Sequence, residues 1–225
     1  MKVALAAVVL ALVAGGSARA DSGTATIWIT RDEGHRVLLV RSVPAGETAM
    51  QALDRVADIS TRYGGRYVES IEGISGSASS KRDWFYFVNG IEADRGAAEY
   101  KLHDGDVEWW DYRSWAHRMS VPVVVGAFPE PFLHGYDGHV RPALVSYVSP
   151  SQAAGARAIA RLLQGRILPR GAVPRRDANL FRIGTGPPHL TARRLSGGGV
   201  EFDFGGDAMK LARHPRSVRF RYEVP

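Results

Sequence analysis

After a run that is apolar at every position from Val3 to Ala14, the chain settles into alternation. Thr24 to Thr30 reads Thr-Ala-Thr-Ile-Trp-Ile-Thr, and Arg36 to Val43 repeats the two-residue period beyond the polar turn Arg31-Asp32-Glu33-Gly34. β-branched and aromatic residues at that spacing predict two strands joined as a hairpin. Pro44-Ala45-Gly46-Glu47 ends the second strand. Thr48 and Gln51 then occupy the positions of a capping box, in which the Thr hydroxyl accepts from a free backbone N–H and the Gln side chain reaches back. Beyond them Ala49, Met50, Leu53, Val56 and Ala57 recur at three and four, the stripe of an amphipathic helix that a sheet can cover.

Tyr63-Gly64-Gly65 breaks the helical period, Arg66 to Ile71 predicts a short strand, and Gly73 to Ser80 is small and polar. The stretch from Asp83 to Trp115 is the densest in the chain and holds four of the five tryptophans. In Trp84 to Val88, Trp84, Tyr86 and Val88 share one face and Phe85 and Phe87 the other, so both faces need cover. Asn89-Gly90 is the preferred pair for a type I′ reversal. Ala97 to Leu102 predicts the next element, Asp104-Gly105-Asp106 a turn, and Val107 to Trp115 a last long strand. Two strands, a helix and two or three further strands make the order of a β-grasp, a mixed sheet wrapped on one helix. The predicted fold class is therefore α+β, a β-grasp over residues 21–118 followed by a second small α/β or α+β domain over 119–225.

Thr48 to Leu53, the Trp84-Phe-Tyr-Phe-Val-Asn-Gly90 strand and turn, and Tyr100-Lys-Leu-His-Asp-Gly-Asp106 running into Val107-Glu-Trp109 together resemble the transcobalamin C-terminal-like β-grasp domain. That domain occurs in bacterial exported proteins and as the smaller domain of animal cobalamin carriers. The resemblance implies a β-grasp that supplies one wall of a small-molecule or polymer site, with cobalamin, the carriers' ligand, or a related corrinoid as the ligand it implies. Those carriers hold cobalamin mainly against a helical barrel, and no repeated helical period here could build one.

In the second half, Ser120 to Phe128 includes Val-Pro-Val-Val-Val-Gly-Ala-Phe, which predicts a strand buried on both faces. Val140 to Val148 predicts another strand. Ser149-Pro150-Ser151 opens a helix to about Gln164, with Ala153, Ala156, Ile159, Ala160 and Leu163 on one face and Gly165 as its left-handed stop. Arg166 to Asp177 is a Pro/Arg loop. Leu180 to Ile183, Leu190 to Leu195, Val200 to Phe204 and Ser217 to Val224 predict strands, with Ser196-Gly-Gly-Gly199 as a hairpin connection.

The apolar N-terminal run changes the picture of where the protein works. Lys2, the short apolar core and Ser17-Ala18-Arg19-Ala20 describe a secretory signal peptide over residues 1–20, with cleavage expected after Ala20. The run is shorter than the roughly 20 residues a spanning helix needs, so the mature chain is expected to be secreted or extracytoplasmic and not an integral membrane protein. No cysteine is present, which excludes disulfides, thiolate metal sites and lipidation at cysteine. Charge divides the chain: residues 21–118 carry a net −4 and residues 119–225 a net +8. A basic half can seek an anionic surface, and docking of the two halves on each other competes with that use. No nucleic acid is expected as a partner.

Candidate chemistry is sparse. His134, Asp137 and His139 lie within six residues and could ligate a metal or serve an enzyme, but the spacing matches no metal motif and a solvated loop is the favoured reading. Asp104, Asp106 and Asp111 lack the alternating oxygen series of a calcium loop. Gly184-Thr-Gly186 and Ser196 to Gly199 lack the context of a phosphate cradle, and no Gly-x-Ser-x-Gly occurs. No catalytic residue, metal site or cofactor is therefore assigned, and the protein is expected not to be an enzyme. The aromatics remain. They exceed what one core can hide, so Trp84, Tyr86, Trp110 and Tyr112, with Arg82 and Arg113 as charged contacts, are expected to bind a small molecule, corrinoid-like, or an envelope polymer. The alternative is a structural or interaction module of the cell envelope whose aromatic face is buried between the two domains.

Overall fold

A computed structural model describes residues 23–225, so the leader expected over residues 1–20 lies outside the described residues. Two units of mixed helix and strand follow one another. The first opens with the expected hairpin, β1 (Thr24–Arg31) against β2 (Arg36–Pro44), antiparallel. Thr48 caps α1 (Ala49–Asp54): its hydroxyl accepts from the Gln51 N–H at 3.2 Å, and Gln51 Oε1 accepts from the Thr48 N–H at 3.0 Å. The helix is shorter than its stripe. Val56 and Ala57 lie past its end yet still pack on the same core, so the apolar period is satisfied without another helical turn. A strand absent from the sequence reading follows, β3 (Ile59–Arg62), which pairs with β4 (Tyr67–Ile71); β5 (Ile74–Ser75) completes a three-stranded antiparallel sheet.

β6 (Arg82–Val88) and β7 (Ile91–Glu92) flank Asn89-Gly90, whose φ values of 52° and 80° are both positive, as a type I′ turn requires. β8 (Val107–Ser114) lies between β1 and β6, parallel to the first and antiparallel to the second. The sheet order is β2-β1-β8-β6-β7, the expected mixed sheet. Ala97 to Leu102 is not a regular element. It is a connector bound to the start of α1, with the Ala49 N–H donating to Tyr100 O and the Gly46 N–H to Leu102 O, each at 2.8 Å.

The Val121 to Phe128 run is buried as expected at every position but Pro122, yet forms no strand; it holds a 3₁₀ turn at Val125–Ala127 and one isolated bridge from Val123 to Ile91. Its side chains explain why. Val121, Val124 and Ala127 enter the core under the first sheet, while Val123, Val125 and Phe128 enter that of the second, so the segment is a wall between them.

The second unit contains α2 (Glu130–Leu133), β9 (Ala143–Tyr147), α3 (Ala153–Leu162), β10 (Arg166–Ile167), β11 (Asn179–Ile183), β12 (His189–Arg194), β13 (Val200–Gly205) and α4 (Ala208–Arg213). Its sheet runs β10-β9-β11-β13-β12, parallel throughout except for the β12 edge, so this unit is α/β. The left-handed stop after α3 is Gln164, with φ 51°, and not Gly165. Gly165 is required for another reason: a Cβ there would stand 2.5 Å from Ala143 O. Neither α2 nor α4 is predicted by the sequence pattern, although Asp207 caps α4 by accepting from the Lys210 N–H at 3.0 Å. The closing strand expected over Ser217 to Val224 reduces to a 3₁₀ turn, Pro215–Val218, and one bridge between Val224 and Leu190. Phe220 and Tyr222 turn away to pack on the first sheet.

Candidate functional site

β8 sends Glu108, Trp110 and Tyr112 to one face of the first sheet and Val107, Trp109, Asp111 and Arg113 to the other, as alternation dictates. On the first face Trp110 stacks on Tyr86 with ring centroids 4.8 Å apart, and Trp84 tilts against Tyr112 at 5.3 Å. These rings join Ile27, Ile29, Ala49, Ala52 and Leu53, the core between sheet and α1. The face expected to present a ligand is therefore the helix-facing interior. Trp84, Trp110 and Tyr112 expose only 6%, 4% and 7% of their surface, and Tyr86, half-buried, donates its hydroxyl to Arg95 O at 2.5 Å. Indole and phenol groups are likewise spent within the fold: Trp84 Nε1 donates to Ile74 O at 2.7 Å and Tyr112 Oη to Ser75 O at 3.0 Å.

The reading of an aromatic face offered to a small molecule or polymer is thus corrected, and the second face gives the same answer. Trp28, Phe87 and Trp109 are covered by Val121, Val124, Ala127 and Tyr222, with Phe220 half-buried beside them. Tyr222 meets Trp109 and Phe87 edge-on, each with centroids 5.6 Å apart. Trp109 Nε1 donates to Thr30 Oγ1 at 2.7 Å.

Asp111 fastens this joint. Its carboxylate is buried and accepts from Thr30 Oγ1 at 2.5 Å, the Glu33 and Gly34 N–H groups at 3.0 and 3.1 Å, and Tyr222 Oη at 3.0 Å. Burial raises its pKa above the ordinary value, and the four donors oppose that shift. The β1–β2 turn and the C-terminal segment therefore share one acceptor. Gly34 is part of the fit, since its φ is +80° and a Cβ there would lie 1.6 Å from Phe220 O. In the sequence Asp111 stood out only as a rejected calcium ligand and Gly34 only as a turn residue, and Tyr222 carried no signal. Gly34 in the turn was the visible cue, but the closeness of Phe220 is set by tertiary packing.

The two arginines expected to contact a ligand both have partners within the fold, Arg113 in the interior and Arg82 partly exposed. Arg113 is fully buried, donates to Arg118 O at 2.7 Å and Met119 O at 2.9 Å, and lies 3.7 Å over the Phe85 ring. Arg82 pairs with Asp32 and lies 4.8 Å over Tyr112. Of the expected contacts, Trp84 borders a surface groove of about 440 Å³ shared with Tyr67, Asp83 and Trp115.

His134, Asp137 and His139 do not converge. His134 Nδ1 lies 2.5 Å from Glu130 Oε2, Asp137 pairs with Arg95 at 3.1 Å, and His139 meets Tyr136 through its backbone. Among the described residues no group of three or more His, Asp or Glu side chains could hold a metal ion, and no helix is long and apolar enough to cross a membrane.

Residues 46–114 match a family described as a domain of unknown function, DUF4430, less than a third of the chain. Among solved structures, a protein from Ruminococcus gnavus ATCC 29149 described as a candidate metal-binding protein aligns at 13% identity and TM-score 0.34, over 41% of this chain and 97% of its own. Haptocorrin in complex with Cbi aligns at 13% identity and TM-score 0.32, again over 41% of this chain. The alignment spans about a quarter (26%) of the haptocorrin chain. No curated protein matches. The first unit of this chain thus has a β-grasp, DUF4430-like fold, which rests on its own strand order and helix.

Proposed function

We propose that the protein is an exported, non-enzymatic interaction module of the cell envelope, in which the aromatic sheet joins two halves and partners are met through the basic second half. The observation that carries this reading is the burial of both aromatic faces, one on α1 and the other under residues 121–127 and 220–222. An aromatic sheet closed in this way stabilises a fixed arrangement of the two halves. The kinship with transcobalamin C-terminal-like domains then concerns the scaffold and not a corrinoid. Export is supported by the leader pattern of Lys2 to Ala20.

The surface left for a partner is rich in unpaired cations. Arg157 and Arg161 on α3 and Lys210 and Arg213 on the adjacent α4 are exposed, and none has a carboxylate within 4.0 Å among the described residues. Such a patch attracts anionic surfaces in a salt-dependent manner. Co-sedimentation of the mature chain with phosphatidylglycerol vesicles, phosphatidylcholine vesicles and isolated envelope tests the reading. Binding to the anionic vesicles or envelope that falls with salt, and is lost on charge reversal at Arg157, Arg161 and Arg213, is expected. Equal binding to neutral and anionic vesicles, or none to vesicles or envelope, would overturn it.

A further inference from the structure

Parallel sheets are normally covered by helices on both faces, whereas helices pack on one face only of the second sheet, and the other, buried at Leu180 and Glu201, is open at Arg182 and Asp203. α3, α4, Phe128 and Phe132 lie against Val145, Phe181, Ile183 and Phe202. On the opposite face the strand register sets Ser146, Arg182 and Asp203 side by side on β9, β11 and β13. The segment leaving β10, from Leu168 to Pro174, borders that row and encloses a cleft of about 460 Å³.

The place of this cleft follows from the topology. The chain leaves β9 through α3 to β10 on one side, and leaves β11 toward β12 on the other. Neighbouring parallel strands whose exits part in this way leave an opening at their carboxyl ends, where open α/β sheets bind ligands. The cleft stands at that opening: Val148 follows β9, Leu168 follows β10, and Gly184 and Thr185 follow β11. Gln152 fixes its two lips. Its Nε2 donates to Gly184 O at 2.6 Å, and its Oε1 accepts from the Val148 and Ser149 N–H groups at 3.1 and 2.9 Å.

Its walls differ in character. Val148, Leu168 and Pro169 form an apolar side that continues into a second hollow of about 260 Å³. Facing it, Arg182 is 53% exposed and reaches its nearest carboxylate, Glu201, only at 3.8 Å, because Arg193 holds that carboxylate at 2.9 Å. Arg170 has no ion pair within 4.0 Å among the described residues and borders both hollows. We propose that this cleft binds a small organic acid, a carboxylate or phosphate monoester, with its acid group on Arg182 and its apolar body along Val148, Leu168 and Pro169. Arg170 closes over the acid from the loop, and Asp203, beside Arg182, accepts from a hydroxyl or amine of the ligand.

Amide signals of the labelled mature chain, titrated with benzoate, phenyl phosphate and neutral benzyl alcohol, test the site. Saturable shifts at Val148, Leu168, Gly184 and Thr185 with at least one acid, about tenfold tighter than with benzyl alcohol, are expected, and comparison of the two acids distinguishes carboxylate from phosphate. Arg182→Met is expected to weaken the acid by about tenfold and leave benzyl alcohol unchanged; Arg170→Met, on the loop, is expected to weaken the acid as well. Shifts confined to Arg157, Arg161 and Arg213, no saturable shift with either acid, or an affinity indifferent to both variants would overturn the proposal.

Discussion

The molecule contains two five-stranded sheets that solve the problem of cover in opposite ways. The first, mixed in direction, buries aromatic rings on both faces and takes one of its covers from the far end of the chain. The second, mostly parallel, buries one face under its own helices and leaves Arg182 and Asp203 of the other in solvent. The abundance of aromatics in the first sheet thus reflects what it must hold together, whereas the sparse, mixed chemistry of the second marks where a partner can reach. Aromatic density by itself did not separate these uses; the identity of the cover did.

The hardest test of that contrast is Trp109→Ala. Trp109 is fully buried, bonded to Thr30 and ringed by Trp28, Phe87 and Tyr222. Truncation is expected to cost about 3–5 kcal/mol, read from the midpoint of denaturant unfolding. A loss under about 1 kcal/mol would mean that the joint is not the tight core described. Gly34→Ala comes next. It puts a Cβ into Phe220 O and places alanine at a φ of +80°, so a loss of about 2–4 kcal/mol is expected. If both halves unfold in one transition whose midpoint falls together, the joint couples them; a variant that unsettles only the C-terminal segment would show that they are independent.

Much of the first sheet was legible because its determinants are local. The Thr48–Gln51 box, the Asn89-Gly90 turn and the alternation of Trp84 to Val88 each name their structure within a few residues. Which aromatic face meets the helix was not legible, because alternation gives two sets and no sign for either. The covers were hidden for a similar reason: Val121 to Phe128 reads as a strand because it is apolar at nearly every position, yet its side chains part between two cores. The open face of the second sheet depends on strand order, which places Ser146, Arg182 and Asp203 together across large sequence separations.

A smaller effect sharpens the interior of the first sheet through pH. Glu108 is buried beside Trp110, whose indole donates to Oε1, while Oε2 has no partner. Burial holds its pKa well above the ordinary 4.5. A folded-state pKa raised above the unfolded one gives a contribution complete below about 4.5 and lost as pH climbs toward the raised value. Glu108→Gln keeps the acceptor for Trp110 and removes the charge. The variant is expected to match the parent near pH 4 and to exceed it by about 1–2 kcal/mol in mildly alkaline buffer, measured by unfolding across that range. An advantage that is flat with pH would show that the fold leaves the Glu108 carboxyl titrating as it does in the unfolded chain.

The smallest expected effect lies on the open face of the second sheet and completes the contrast. Arg182 is more than half exposed and its contact to Glu201 is long, whereas Arg193 holds that carboxylate at 2.9 Å. Exposed pairs of this kind contribute little, because water and salt screen them and two side chains must be ordered. Arg182→Met therefore keeps the aliphatic stem over the sheet and is expected to alter unfolding stability by less than about 0.5 kcal/mol. Any loss of organic-acid binding in that variant then belongs to the missing guanidinium and not to a weakened fold. A loss of stability comparable to that of Trp109→Ala would instead make Arg182 part of the sheet's own cover, and the two faces of the second sheet would no longer differ in kind.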